Sequence, residues 1–296
     1  MTRRVIIDTD PGLDDAVAIL FALMSGHFDV LGLTTVAGNI GLERTTANAG
    51  GLLAAMGRGD IPVISGAAGA MLRDNIDAIA IHGDDGLRGV TLPPALVPPL
   101  TGAVEGLART LMDAPSGSID ILALGPLTNI AQLIERHPAA AGRIGHLLAM
   151  GGTIVEPGNA GPASEFNFAS DPEAVALVLH SDIRTTIVPL DVTRRVRADL
   201  AYVTALRGSP AGNLAADLLT SYLQDDIQSR PLHDPCVMLL AQDPTLFELE
   251  VHRLTVNLSD DANAGALTES THGSPVVVAM RVDTPGVLAL LASAFD

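Results

Sequence analysis

Val5-Ile6-Ile7-Asp8-Thr9-Asp10-Pro11-Gly12-Leu13-Asp14-Asp15-Ala16 is the stretch on which fold and chemistry both turn. Val5-Ile6-Ile7 is a short β-branched run without polar alternation. That is the pattern of a strand covered on both faces in a parallel sheet. Asp8-Thr9-Asp10-Pro11-Gly12 is rich in turn formers and ends it. Asp14 and Asp15 open an apolar-periodic segment, residues 16–24, read as a helix. Carboxylates in its first turn suit the positive end of the helix dipole.

Working outward, strand and helix patterns keep alternating. Strands are expected at residues 30–36, 61–64, 119–124, 144–150 and 185–190. Helices are expected at 42–56, 104–112, 127–136 and 172–180, with residues 65–100 irregular. Beyond residue 199 the pattern is mostly helical, with a strand pair near 248–258 and 276–282. Such alternation predicts an α/β fold, a mostly parallel sheet flanked by helices. No linker or internal repeat interrupts it, so one domain is expected over residues 1–296. In open parallel sheets, ligands bind beyond the carboxyl ends of the strands. Polar, Gly-rich clusters fall there at residues 8–15, 37–41, 124–129 and 150–167, so four strand ends are expected to meet at one site.

Composition removes several function classes. The chain has 296 residues, a formal charge of −17 and no Lys; its 17 basic residues are all Arg. An acidic surface repels phosphate backbones, so nucleic acid is not an expected partner. Without Lys there is no P-loop lysine and no Schiff base. One cysteine, Cys236, excludes an intrachain disulfide and fits a reducing compartment. Residues 1–4 run straight into a strand without a signal-peptide pattern, and no apolar run reaches the roughly 18 residues of a membrane span. A soluble, cytoplasmic protein without membrane contact is expected.

Asp8, Asp10, Asp14 and Asp15 lie within eight residues. Carboxylates this close need a cation or raised pKa values. All-oxygen ligation suits Ca²⁺ or Mg²⁺ rather than Zn²⁺. EF-hand spacing is missing, so further ligands must come from elsewhere in the chain. The competing reading is a helix cap with solvated neighbours, with Asp8 hydrogen-bonded beneath the loop.

Residues 8–16 resemble the N-terminal signature of the inosine-uridine nucleoside hydrolase family. Six further blocks follow in the family's order: Val36-Ala37-Gly38-Asn39 with Asn48-Ala49, His82-Gly83-Asp84-Asp85-Gly86-Leu87, Gly125-Pro126-Leu127-Thr128-Asn129, Met150-Gly151-Gly152, Glu165-Phe166-Asn167 and His233-Asp234-Pro235. The similarity covers roughly residues 5–240; beyond about 245 it adds little. It implies an α/β core, a calcium ion at the base of an open pocket, a small ribonucleoside as substrate, and a homodimer or homotetramer.

Carried over by the resemblance, Asp10, Asp15 and Asp234 would ligate Ca²⁺, joined by the backbone carbonyl of Leu124. Asp14 would be the general base for the attacking water. Asn39, Asn159, Glu165 and Asn167 would hold the ribose, with Met150 against the sugar. His82 and His233 are the candidates for protonating the leaving base, and Tyr222 is a further group within reach of it. Base preference is assigned to residues 76–88 and 220–233, and the two histidines favour pyrimidine or mixed specificity. Such chemistry fits these residue types. N-glycosidic cleavage builds positive charge on the sugar ring, which carboxylates and amide oxygens stabilise, and water needs a base beside the cation.

Two other classes compete. Asp8-x-Asp10 after a strand is similar to the nucleophile and acid of Mg²⁺-dependent, haloacid dehalogenase-like phosphohydrolases, which generally set a Lys against the phosphate; this chain has none. A ribose- or nucleoside-binding protein without turnover would have no evident duty for Asp14.

Overall fold

The computed structural model describes residues 2–223 and 227–296. Met1, and residues 224–226 of the segment assigned to base preference, lie outside the described residues. The strands, in chain order, are β1 (Arg3–Thr9), β2 (Phe28–Thr35), β3 (Val63–Ser65), β4 (Leu100–Thr101), β5 (Ile119–Ala123), β6 (Ile144–Met150), β7 (Thr185–Val188), β8 (Arg197–Asp199), β9 (Ser229–Pro231), β10 (Phe247–Val256), β11 (Leu267–Glu269) and β12 (Ser274–Val282). The helices are α1 (Leu13–Met24), α2 (Leu42–Ala55), α3 (Ile79–His82), α4 (Ala103–Asp113), α5 (Thr128–Arg136), α6 (Pro138–Ala141), α7 (Phe166–Ser170), α8 (Pro172–His180), α9 (Leu190–Thr193), α10 (Leu200–Ala205), α11 (Pro210–Tyr222), α12 (Pro235–Gln242) and α13 (Thr284–Ser293).

One large sheet carries the strand order β11-β10-β12-β7-β6-β5-β1-β2-β3-β4. It is parallel from β12 to β4, and β10 is antiparallel to both β11 and β12. The expected fold class, a mostly parallel sheet flanked by helices, is what forms.

Alternate residues of each central strand enter different apolar layers. Val5 and Ile7 of β1 face the layer that contains α1 and α12, while Ile6 faces the layer that contains α4 and α5. Leu148 and Met150 of β6 part from Leu147 and Ala149 in the same way. With both faces covered, no polar alternation survives in the sequence. Helix α1 is buried along Leu13–Ala22 because α11 and α12 pack over it. Its two first-turn aspartates are therefore buried too.

Some expectations need correction. The strand expected at 185–190 stops at Val188, and Leu190 already starts α9. The region 65–100 is largely irregular, but it contains the single turn α3 and ends in β4. The C-terminal strand pair joins the main sheet beside β7, with β11 added at the edge. The small antiparallel pair β8–β9 was not expected; its three-residue strands are too short to show a period.

The chain runs from β1 outward through β2, β3 and β4, then returns to β5 on β1's other side. Between β1 and β5 the winding reverses, which is where open α/β sheets place their ligands. Four neighbours, β6-β5-β1-β2, end on this side. Their carboxyl ends carry Met150, Leu124, Asp10 and Val36 respectively.

Candidate active site

A cavity of about 330 Å³ lies beyond these strand ends, within the range of small-molecule sites. Asp14, Asn39, His82, Leu124, Met150, Asn159, Glu165, Asn167, His233 and Asp234 all line it. Asp10 and Asp15 lie beneath its floor and are almost fully buried. Every candidate named from the sequence is thus brought to one place. A larger groove of about 720 Å³ between α2 and the proline-rich residues 92–99 contains none of them.

The floor is acidic. One carboxylate oxygen each from Asp14, Asp15 and Asp234 lie within 4.8 Å of one another, and all three residues are buried. Asp234 reaches this point as the residue before α12, whose Pro235 starts the helix. Burial, then the neighbouring Asp15, raises the Asp14 carboxyl to about 7. Burial, then Asp14 and Asp15, pushes Asp234 well above the carboxylate range; burial and Asp15 do the same to Asp10. Like charges in a desolvated pocket oppose ionisation.

Asp15 is the best-satisfied member. Its Oδ1 accepts from Thr9 Oγ1 at 2.6 Å, and its Oδ2 accepts from Gly12 N and Asn39 Nδ2, each at 3.0 Å. The Gly12 contact also serves the start of α1. Asp10 is different. Its Oδ2 accepts from Asn39 N at 2.7 Å, but its Oδ1 is buried without a hydrogen-bond partner. Asp10 stands outside the three that converge, yet its orphaned oxygen and the acidic floor, with no cationic side chain lining the cavity among the described residues, fit a hard cation with oxygen ligands.

Gly38 and Gly125 close on Asp10 from two sides. A methyl on Gly38 would overlap Oδ2, and one on Gly125 would overlap Oδ1. Gly38→Ala is expected to push Asp10 out of line and weaken binding of a divalent cation by about tenfold or more, read by calorimetry. Unchanged affinity would free Asp10 from any role in the metal site.

Asp8 lies below and apart. Its Oδ1 accepts from Thr34 Oγ1 and from Asn129 Nδ2, which matches the reading of a carboxylate hydrogen-bonded beneath the loop.

The sugar-facing candidates are partly occupied by the chain itself. The Asn39 side-chain amide donates to Asp15 and to the Asp10 carbonyl. Asn167 Nδ2 donates to the Leu124 carbonyl at 2.6 Å, so that oxygen keeps one lone pair for an ion. Asn159 Oδ1 accepts from Phe166 N. Glu165 caps α7 through Asn167 N and Phe168 N and also takes Gly152 N. Burial pushes its carboxyl up to about 7.

His82 is buried and His233 half-buried. His82 ends α3 and its Nδ1 accepts from Leu13 N at 3.1 Å, so in the neutral ring the proton sits on Nε2. Burial lowers its pKa to about 4. His233 Nδ1 lies 2.7 Å from Thr193 Oγ1, and burial lowers its pKa to about 3. Tyr222 stacks on His82 at 6.0 Å between ring centroids, with the Arg230 guanidinium 5.1 Å from the Tyr222 ring.

The sequence reading missed Asp191 and Thr193 of α9 and Asp171 before α8. Asp171 accepts from Met71 N and Thr128 Oγ1 and so fastens the start of the irregular region. None of the three sits in a recognisable block, and no local signal marks them.

Comparison with known proteins agrees with this geometry. The model of the inosine-uridine preferring nucleoside hydrolase family matches residues 5–289. A pyrimidine-specific ribonucleoside hydrolase RihA from Citrobacter koseri is 39% identical over 83% of this chain and 81% of its own. The RihA of Shewanella woodyi is 35% identical over 100% of this chain and 99% of its own. Among solved structures, the plant nucleoside hydrolase PpNRh1 superposes with a TM-score of 0.91 at 34% identity, covering 100% of this chain and 99% of that one. The chain belongs to the inosine-uridine preferring nucleoside hydrolase family. The match continues past residue 245, where motif reading found little, because β10, β11 and β12 contribute by extending the sheet.

Proposed function

We propose that this chain hydrolyses the N-glycosidic bond of ribonucleosides, giving ribose and free base, with pyrimidine or mixed preference. The observation that carries this reading is the buried carboxylate cluster at the floor of a cavity whose walls hold amide and carboxyl groups. Relatives 35–39% identical are named pyrimidine-specific, which supports the preference.

Asp10, Asp15, Asp234 and the Leu124 carbonyl would hold the ion, read as Ca²⁺. When bound, it offsets the carboxylate charge, orients the sugar hydroxyls and lowers the pKa of water. Asp14 is the base: its carboxylate, held by His233 N at 3.3 Å, takes the proton of the attacking water. Asn39, Asn159, Glu165 and Asn167 fix the ribose, with Met150 beneath it. Positive charge on the ring develops next to these oxygens, which need no reorganisation to meet it. His82 and His233 serve the leaving base as neutral N–H donors. A ring whose Nδ1 accepts a backbone amide gives up that bond if it is protonated there, so hydrogen bonding to the departing anion replaces transfer from an imidazolium. We read the enzyme as a cytoplasmic homodimer or homotetramer.

Incubation with uridine, cytidine, inosine and adenosine, with calcium or excess chelator, tests the reading. Free base is quantified by chromatography. Release of uracil and cytosine, lost on chelation, is expected. No base from any of the four overturns it.

A further inference from the structure

Residues 151–165, between β6 and α7, bring Asn159 and Glu165 to the cavity. Residues 153–157 of this loop have no regular structure of their own. Apart from the Thr153 hydroxyl on the Glu156 carbonyl, what holds them comes from outside. Asp191, in α9, is buried, with 4% of its surface exposed. Its Oδ2 accepts from Ile154 N at 2.8 Å and lies 3.1 Å from Thr153 Oγ1, whose hydroxyl donates to the Glu156 carbonyl at 2.7 Å. Its Oδ1 accepts from Val155 N at 2.7 Å and Glu156 N at 3.1 Å. Three successive amides converging on one carboxylate form an anion nest, filled by the chain's own side chain. Arg194, next in line, donates to the Pro157 and Gly158 carbonyls at 2.6 and 3.0 Å. The loop is therefore gripped residue by residue up to Asn159.

Asp191 does not line the cavity and has no part in the chemistry above. We propose that it is a positioning residue for sugar binding: it fixes the path of residues 153–158 and through them the places of Asn159 and Glu165. This rests on the reading of the cavity as a ribonucleoside site. The carboxylates of the metal floor are carried by other elements, α1, the end of β1 and the start of α12, so the nest separates sugar binding from metal binding. Preorganisation of the loop lowers the cost of ordering it when substrate arrives.

Asp191→Asn tests this with almost no change in volume. The amide keeps its oxygen for Val155 N and Glu156 N and sets its NH₂ against Thr153 Oγ1, which can accept, and Ile154 N, so one of the three amide bonds becomes a donor–donor contact. Three readouts apply: KM and kcat for the best nucleoside, calcium affinity, and amide hydrogen exchange. The expected result is a KM raised about tenfold, calcium affinity within roughly threefold of wild type, and faster exchange confined to residues 153–167. An unchanged KM, or exchange that rises evenly over the whole chain, overturns the proposal and leaves Asp191 a stability residue. If Asp191→Asn does not fold, Arg194→Met decides: a KM raised roughly threefold upholds the proposal and an unchanged KM overturns it. Should the wild type release no base, D-ribose titration replaces KM. Ribose binding weakened about tenfold in the variant then keeps the positioning role while the hydrolase reading falls. Equal binding removes the positioning role alone, and a wild type that neither hydrolyses nucleosides nor binds ribose removes both.

Discussion

Asp14→Asn is expected to lower kcat by about 10³-fold at saturating calcium, in line with the 10²–10⁴-fold usually supplied by general base catalysis. The substitution keeps size and a carbonyl oxygen, so the contact from His233 N at 3.3 Å is retained. What disappears is a proton acceptor. Asp14 also gives one of three oxygens that lie within 4.8 Å of one another, so calcium affinity falls, yet one ion per chain is expected by elemental analysis when calcium is in excess. KM is expected to move little, because the ribose-facing amides are carried by other segments. A kcat within tenfold of wild type would remove Asp14 as the base. Loss of the ion even at high calcium would make it a ligand first.

Chelation is expected to abolish turnover and to change how stability responds to pH. Buried Asp14 has its carboxyl at about 7 against an ordinary 3.8, and Asp10 and Asp234 are also raised. A group whose folded pKa is higher binds protons more tightly when folded. Its stabilising contribution is complete below the unfolded pKa and lost as pH rises through the folded one. His82, His146 and His233 act in the opposite sense, because burial lowers them from 6.5 to about 4, 4 and 3. Their contribution grows as pH rises towards 6.5 and is nearly complete above 7. Between pH 7 and 8.5 the carboxylates decide the sign. Stability of the chelated protein is expected to fall by up to about 1.4 kcal/mol per pH unit for each proton still held. Added calcium is expected to reverse the trend, since ionised carboxylates would bind it and protons compete. Melting temperatures at pH 7 and 8.5, with chelator and with calcium, check this: the calcium-induced rise should be larger at pH 8.5. A chelated chain more stable at pH 8.5 than at pH 7 would contradict the carboxylate account.

Local signals carried much of this. The β1 run and the acidic turn after it are readable because strand, turn and helix start occupy a dozen consecutive residues, and each leaves a pattern of its own. The fold class followed from repeating that reading along the chain. Asp234 was different: nothing near it announces a metal ligand, and it was found only through resemblance in the block His233-Asp234-Pro235. Helix α9 shows why the rest was hidden. It is four residues long and follows Pro189, so the apolar run Ile187-Val188-Pro189-Leu190 reads as one strand. Asp191 meets its partners 35 to 38 residues away in sequence, a distance over which no periodicity operates. The histidines were assigned roles from their ordinary pKa near neutrality, and burial, which the sequence does not display, shifts both downwards.

The place of β1 in the middle of the sheet has a consequence for biosynthesis. Strand β1 is made before the rest of the sheet, yet β5, its neighbour on one side, lies more than a hundred residues later, and His233 meets Asp14 across 219 positions. At about 5–20 residues per second, the first aspartates wait on the order of 10–40 s for the last one. During that interval the nascent chain presents only part of the proposed set of ligands. On the proposed ligand set, metal loading is tied to completion of the chain, and the ion is sampled by the finished fold rather than by the polypeptide as it emerges.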